Sequence, residues 1–431
     1  MALGAGSSRA FADTFDWSST TTGVSWSDEA NWVQGTAPGA GDMAVFNQML
    51  GLSETIIADN GEGGGITIGG IQVGTTNGIK QYIFSSDNGG SITFDNGAND
   101  ASLTELATAF GDQVNASLFI SGNGNLGIVN NASKTFTIGG AITGSAGTGS
   151  ADTLTLTNGG SGTLLMNGVL SDGSNGGVLS LLLNAGAGAI TLNAGNTFTG
   201  AVTIQSGLVN LQSGGGLGGA NASQTVTIDA GGALNLNGKG LNNLSKGFAL
   251  NGNGVGGTGA LVNNAAGTAI LNNAVSLQSN STVGATVGGI TITGLVSGSG
   301  KLTTAGAANP VTLNRNAGNS YSGGTVVSSG ALAISNTSGS ATGSGMVTVN
   351  SGAVLSLAGA ARIAPDSGNG IELAGTLNPA ANTLTLALNG AAKLSFGSGS
   401  ALALTLGTNS GSIAFSSAGD WPPAAATRPC N

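Results

Sequence analysis

The acidic residues between positions 113 and 420 are the side chains of this chain that could act on a sugar polymer. Cleavage of a glycosidic bond needs two carboxylates close together, or carboxylates that hold Ca²⁺ beside a basic residue. Asp366 and Glu372 are the nearest such pair, and Arg362 precedes them. They could meet only across a turn, so we interpret them as solvated turn residues. The other acidic residues of this region stand apart: Asp152, Asp172, Asp229 and Asp420.

A denser group of carboxylates comes before residue 113. It consists of Asp87, Asp95, Asp100, Glu105 and Asp112. The run Asp-Asn-Gly-Ala-Asn-Asp at 95–100 could bind Ca²⁺ loosely, but it lacks the ligand spacing of an EF-hand loop. We therefore expect a hydrophilic loop there.

The remaining composition excludes most familiar active sites. The chain has no histidine, and its single cysteine is Cys430. It therefore lacks the commonest general base and metal ligand, and it can form neither an intrachain disulfide nor a multi-cysteine zinc cluster. A serine nucleophile would need a base, and no Ser-Lys pair stands out among so many serines. We predict no catalytic, cofactor-binding or metal-binding residue.

Nucleotide and nucleic-acid binding are also disfavoured. Two glycine triplets have the dinucleotide-binding spacing, namely Gly122, Gly124 and Gly127, and Gly252, Gly254 and Gly257. Each is followed by a strand-like sequence, whereas that motif must open a helix. With 80 glycines in 431 residues, such matches arise by chance. Lys and Arg number only 10, too few for a phosphate-binding surface.

The elements that carry these residues are predicted to be short strands. Threonine alternates with leucine, valine or isoleucine at 153–157, 225–228, 290–293 and 383–388. This period of two indicates half-buried strands. Asn-Gly and Gly-Gly pairs between the runs supply the positive φ that tight turns need. Aromatic residues make up 4% of the chain, so the core should be thin and aliphatic.

An internal repeat distinguishes between the all-β folds that fit this pattern of short strands and glycine-rich turns. The segment Asn-Thr-Phe-Thr-Gly-Ala-Val-Thr-Ile-Gln-Ser-Gly at 196–207 returns at 319–330 as Asn-Ser-Tyr-Ser-Gly-Gly-Thr-Val-Val-Ser-Ser-Gly. Each copy follows a strand ending in Leu-Asn and leads to a second strand pair. The repeat copies thus span about 192–238 and 313–359.

This pattern resembles the autotransporter-associated β-strand repeat of bacterial cell-surface proteins. The Ser-Gly-Ser-Gly-Lys-Leu-Thr run at 297–303 is similar to the usual lead-in of that family, whereas 176–180 departs from it. The resemblance implies an all-β, right-handed parallel β-helix (solenoid), which we predict over 113–420 with a Greek-key sandwich as the alternative. At ~22 residues per coil this region would form about 14 coils.

The N-terminal region forms a separate signature. Trp17, Trp26 and Trp32 fall within sixteen residues, followed by Pro38, Gly41-Asp42 and Phe46. This resembles the segment that opens the same bacterial proteins. The tryptophans could form a carbohydrate platform, but we favour closure of the open end of a solenoid. Residues 1–112 carry 13 acidic and 2 basic side chains, so we assign 13–112 as an acidic cap region.

The two ends of the chain are interpreted as follows. Residues 1–12 are a leader or the remnant of a signal peptide, with Ala-Phe-Ala at 10–12 as a cleavage site. Residues 421–431 form an atypical tail with three of the seven prolines, which we interpret as the sign of a truncated or frame-shifted gene, with a natural capping tail as the alternative. No apolar run is long enough for a transmembrane helix, and no series of membrane β-barrel strands follows residue 360.

The resemblance to that family implies a non-enzymatic passenger-type β-helix, secreted or exposed at the outer membrane of a Gram-negative bacterium. Its role would be adhesion or a cell-surface structural layer. The expected partners are a glycan or other cell-surface ligand and an outer-membrane translocator that this chain does not encode. Nucleic acid is not expected as a partner. The alternative is a polysaccharide-active β-helix enzyme, either a lyase or a glycoside hydrolase.

Overall fold

The computed structural model describes residues 11–387 except 61–63, 76–78, 88, 123, 222, 242–243, 308, 367 and 379–381, and also 393–396 and 412–415. Most of the predicted leader and all of the tail at 421–431 lie outside these residues. The chain divides into two compact units, Met1–Ala249 with Gly254–Gly256, and Leu250–Asn253 with Gly257–Asn431.

The first unit consists of strands and two short 3-10 helices, η1 (Glu29–Asn31) and η2 (Ser174–Gly176). Its strands are β1 (Thr14–Asp16), β2 (Val24–Ser25), β3 (Met43–Phe46), β4 (Glu54–Ile57), β5 (Ile66–Ile68), β6 (Gly70–Val73), β7 (Tyr82–Ser85), β8 (Ser91–Phe94), β9 (Ala101–Glu105), β10 (Gln113–Val114), β11 (Ser117–Ile120), β12 (Leu126–Asn130), β13 (Phe136–Ile138), β14 (Ile142–Thr143), β15 (Ala151–Asn158), β16 (Thr163–Met166), β17 (Leu170–Ser171), β18 (Val178–Leu192), β19 (Val202–Leu211) and β20 (Thr225–Asn235).

Strand β21 (Gly247–Gly252) and the 3-10 turn η3 (Val255–Gly257) contain residues of both units. The strands of the second unit are β22 (Leu261–Val262), β23 (Ala269–Leu271), β24 (Val275–Ala285), β25 (Ile290–Ile292), β26 (Val296–Gly298), β27 (Leu302–Gly306), β28 (Pro310–Asn314), β29 (Thr325–Val327), β30 (Ala331–Ser335), β31 (Val347–Val349), β32 (Val354–Leu357), β33 (Ala361–Ile363), β34 (Gly370–Leu373), β35 (Thr376–Asn378), β36 (Thr383–Leu386), β37 (Lys393–Phe396) and β38 (Ser412–Phe415).

Strands of successive coils pair in parallel, so like positions form columns through the core. One column in the first unit joins β9, β12, β15, β18, β19 and β20 through Leu103, Ile128, Leu156, Leu183, Ile204 and Ile228. All six side chains are fully buried. The alternation of the strands places these residues inside and threonines such as Thr155 outside. Each aliphatic residue therefore packs on its counterpart one coil away.

The second unit repeats this arrangement with shorter, more regular coils. Up to strand β37 its paired residues are separated by 21 to 24 positions, as in Ser281–Leu302 and Val347–Ile371. The pairing of β36 with β38 is longer, with 29 positions between Thr383 and Ser412. In the first unit the separation ranges from 19 positions for Ala189–Leu208 to 32 for Gly70–Ser102. The extra residues of the first unit lie in the loops between its strands.

The predicted tryptophan cap is a buried aromatic cluster. Trp17, Trp26 and Trp32 are at most 3% exposed, and the Trp32 ring lies 5.0 Å from each of the other two. Phe46 and Phe84 continue the cluster into the next coils, with ring centroids 4.9 Å apart. The Trp17 indole donates a hydrogen bond of 2.8 Å to Glu54. These rings fill the interior and are not an exposed carbohydrate platform.

The prediction of an all-β parallel solenoid is confirmed, and over both units the chain has about 14 turns. The pairings given above are parallel, which excludes a Greek-key sandwich. Solenoid pairing also extends through the region assigned as an acidic cap: β1 pairs with β3, and β3 with β6. Position 112 marks no break, because β9 and β7 pair with β12 and β10 beyond it.

Candidate functional site

The conserved chemistry of the two repeat copies is structural. Asn196 accepts a hydrogen bond from the amide of Leu170 in the preceding coil (2.9 Å) and donates one to the carbonyl of Gly216 in the next (2.8 Å). Asn319 makes the same bridge in the second unit, from Val296 (2.9 Å) to Ala341 (2.7 Å). The repeated asparagine therefore joins three coils, which explains its place in the repeat.

The aromatic residue two positions after this asparagine is buried in both copies, but the polar groups that contact it differ. Tyr321 shares a hydrogen bond of 2.7 Å with Thr325, whose hydroxyl donates to the carbonyl of Thr342. Phe198 has no hydroxyl, and the buried ammonium of Lys246 lies 4.3 Å from its ring centre instead. Lys246 also donates to the carbonyl of Leu217 (2.9 Å). Burial lowers the pKa of Lys246 to about 8.

The two carboxylates that the sequence predicted to lie in turns, Asp366 and Glu372, occupy different elements of the structure. Asp366 is exposed at a turn, where its carbonyl accepts a hydrogen bond from the amide of Asn369. Glu372 lies in β34 between Thr348 and Ser395 of the neighbouring strands. Arg362 donates from its guanidinium to the carbonyl of Gly339 (3.1 Å) rather than to a carboxylate. The structure therefore shows turn and strand roles for these side chains.

The carboxylates at 95–100 bind protein amides. Asp95 accepts from the amide of Gly97 (2.9 Å), and Asp100 accepts from the side chain of Asn125 (3.0 Å). Within the described part of the chain, no three Asp, Glu or Cys side chains are grouped so that they could hold a metal ion.

Neither glycine triplet opens an α-helix, and the second contains only the 3-10 turn η3. Gly122 has φ +74°, and Gly127 already lies in strand β12. Gly252, Gly254 and Gly257 all have positive φ, and strand β22 follows them. The backbone around both triplets consists of turns and strands, which is not the context of a dinucleotide site.

A buried acidic cluster was missed at the sequence level. It consists of Glu54, Glu105, Asp112 and Tyr82 in the first unit, all at most 1% exposed. Tyr82 donates its amide to Asp112 (2.6 Å), and its hydroxyl accepts from the amide of Gln48 (3.0 Å). Burial raises the pKa of Glu54 and of Asp112 to about 7. Burial, together with the charge of Asp112, raises the pKa of Glu105 to about 9.

The strand register explains the position of Glu105. It pairs with Asn130 in the next coil, which pairs in turn with Asn158. Both asparagines donate side-chain hydrogen bonds to backbone carbonyls, Asn130 to Lys134 (3.1 Å) and Asn158 to Gly162 (2.7 Å). Neither carboxylate oxygen of Glu105 has a partner within hydrogen-bonding geometry, and the backbone amides of Asp112 and Gly111 lower its pKa by less than burial raises it. Its two counterparts in the column, Asn130 and Asn158, are neutral, so a protonated Glu105 fits this position better than a charged carboxylate. The acidic cluster is therefore a structural feature of the interior.

The outward face of the first unit has a different character. Strands β5, β8, β11, β14 and β17 pair side by side, and their outward residues form one row: Thr67, Thr93, Phe119, Thr143 and Ser171. We call this row the Phe119 face. Phe119 is 39% exposed, the one aromatic among four hydroxyl side chains. Ser171 donates to the hydroxyl of Thr143 (3.2 Å), so part of the row is linked by hydrogen bonds.

An open groove of about 520 Å³ lies along this face. Besides residues of the row, it is lined by Ser121, Ser145 and Ser174. The hydroxyl of Ser145 is held by the buried carboxylate of Asp152 (3.0 Å). Among the described residues that line the groove, none has a charged side chain. An aromatic ring beside several hydroxyls is suited to a ligand that has both an apolar face and polar edges.

The sequence offered one signal for this face, the general abundance of outward threonines. It did not single out Phe119, because neighbours in the row are 24 to 28 positions apart and coil length varies.

Compared with protein-family models, with curated proteins and with solved structures, the chain matches none of them. Among the described residues, no helix has the length and hydrophobicity needed to cross a membrane.

Proposed function

We propose that this chain is a non-enzymatic β-helical passenger of the autotransporter type, secreted from or displayed on a Gram-negative bacterium, where it acts in adhesion or as a surface layer. The observation that carries the proposal is the Phe119 face with its groove. The repeated asparagines and aromatic residues serve contacts between coils, whereas this outward face has side chains suited to a ligand. The resemblance of the two repeat copies to the surface-protein repeat supports the proposed location.

Surface exposure is tested on intact cells that carry the natural gene. Protease added outside should remove the protein from the cells while a cytoplasmic marker stays intact. A protein that is protected until the cells are lysed would contradict the proposed location. The outer-membrane translocator expected for such a passenger should then be required, and its deletion should abolish exposure.

Adhesion and enzymatic activity are separated with the purified full chain. We expect saturable binding to glycan-bearing cells or surfaces. We also expect no reducing ends or unsaturated sugars from pectin, alginate or glycosaminoglycans, with or without Ca²⁺. Reproducible release of such products would favour the polysaccharide-active enzyme instead.

A further inference from the structure

The Phe119 face repeats its chemistry at a fixed interval. Neighbouring strands of a sheet are about 4.8 Å apart, so the five-residue row extends over about 19 Å. A second outward position adds Ser91 and Ser117, which pair with each other beside Thr93 and Phe119. The face therefore offers hydroxyls in sequence along a direction that crosses the strands. A ligand that fits it has its own repeat in that direction.

The side chains that line the groove restrict the class of ligand further. A sugar ring has an apolar face of C–H groups and a rim of hydroxyls, and an exposed aromatic ring can cover that apolar face. Within the described residues, the hydroxyls of Thr93, Ser121 and Ser174 have no hydrogen-bond partner. They can therefore donate to and accept from ligand hydroxyls.

Charge distinguishes between classes of glycan. Uronate and sulfate groups are bound by arginine or lysine, which form charge-assisted hydrogen bonds with them. No basic side chain lines this groove, and the nearby carboxylate of Asp152 would repel an anion. An acidic polysaccharide is therefore disfavoured at this site.

We infer that the Phe119 face binds an unbranched neutral glycan, which lies across strands β8, β11 and β14 with one sugar stacked on Phe119. The inference rests on the proposed adhesive function, for which it names the ligand class and the site. Phe119 holds the stacked ring, and Thr93 and Thr143 on either side bind hydroxyls of the adjoining sugars.

The second unit provides a natural control. Its outward row runs through Ile270, Thr291, Thr312, Ala333, Ser356 and Asn378. Ile270 is 38% exposed, nearly the same fraction as Phe119, but it is aliphatic. Ala333, in the middle of the row, is buried and has no hydroxyl. Replacing Ile270 removes a similarly exposed apolar group without touching the Phe119 face.

The experiment measures binding of the full chain to a length series of neutral β-1,4-linked gluco- and N-acetylgluco-oligosaccharides, with oligogalacturonate and oligoalginate as anionic probes. Affinity for the neutral series should rise with length until the row is filled. Phe119→Ala should lower it by about tenfold. Thr143→Val, which keeps the β-branched shape but loses the hydroxyl, should lower it less, and Ile270→Ala should leave it unchanged. Circular dichroism confirms that each variant keeps the β fold.

Two results would overturn the inference. One is preferential binding of the anionic probes. The other is neutral binding that Phe119→Ala and Ile270→Ala affect equally. If the chain adheres to cells but binds none of the neutral probes, the ligand class is wrong while the adhesive function stands. If the chain does not adhere to any cell, the proposed function itself fails.

Discussion

The first coils of the first unit and the coils of the second unit fill the same kind of interior in different ways. The first coils contain Trp17, Trp26 and Trp32 together with the buried acids Glu54 and Glu105. The second unit fills its columns with aliphatic residues, as in Ile290, Val311, Leu332, Leu355 and Leu377. Its coils are correspondingly short.

This contrast shows what sets the regularity of a solenoid. Aliphatic residues of similar size stack on one another without a change in coil length, since each coil repeats the shape of the last. Indole rings and buried carboxylates need particular partners, such as the Trp17 indole on Glu54. Here that partner comes from strand β4, and the cost is a set of polar groups that must be satisfied inside the core.

The largest expected effect comes from removing the aromatic cluster. Trp17→Ala should lower the free energy of unfolding by about 3 to 5 kcal/mol, because it opens a cavity and removes the indole donor to Glu54. Hydrogen exchange should show lost protection at Thr14–Asp16 and Met43–Phe46, while the strands of the second unit keep theirs. Ile270→Ala, an exposed site, is the control and should change stability by less than about 0.5 kcal/mol. Equal loss of protection in both units would contradict the proposed difference between the first coils and the second unit.

The repeat asparagines should behave alike in the two units. Asn196→Ala and Asn319→Ala each remove both hydrogen bonds of a bridge between coils, so each should cost about 2 kcal/mol. Urea unfolding of the full chain measures both. Asn193→Ala is the matched control, because Asn193 is exposed and its side chain donates to the side chain of Asn167 instead of bridging three coils. A large effect at one copy only would show that the two copies are not equivalent.

The smallest of the three effects concerns Glu105 and depends on pH. Its raised pKa means that the folded chain holds this proton more tightly than the unfolded chain does. The contribution of Glu105 to stability is therefore greatest below about pH 4.5 and is lost as pH rises toward about 9. Glu54 and Asp112, whose pKa values are about 7, act in the same direction.

Glu105→Gln should weaken this pH dependence and raise stability at pH 7 by about 1 to 2 kcal/mol, because glutamine needs no proton to remain neutral. Thermal unfolding across pH 4 to 9 measures the change, with the exposed Glu29→Gln as the control. If Glu105→Gln destabilises the protein at every pH, the carboxylate makes contacts that an amide cannot replace. The interpretation of Glu105 as a counterpart of Asn130 and Asn158 would then be wrong.

The sequence was sufficient for the features that depend on local pattern. Alternation of threonine with leucine and isoleucine fixes which side of each strand is buried, and glycine marks the turns. The recurrence of Asn196 at Asn319 identified a repeated coil, and the structure shows that both residues bridge coils in the same way. The three tryptophans near the N-terminus are buried, which favours packing over an exposed platform, and their closure of the solenoid end stays a prediction.

Only the tertiary structure decided which residues meet between coils. Phe119 lies between Thr93 and Thr143, and Glu105 lies beside Asn130, because separations between paired residues that vary from 19 to 32 positions set the register. A slip of one residue in the pairing of a strand would turn all its side chains to the other face. Sequence pattern determines whether a residue points in or out. The register of stacked coils determines its neighbours, and through them the protonation of the buried acids and the ligand face.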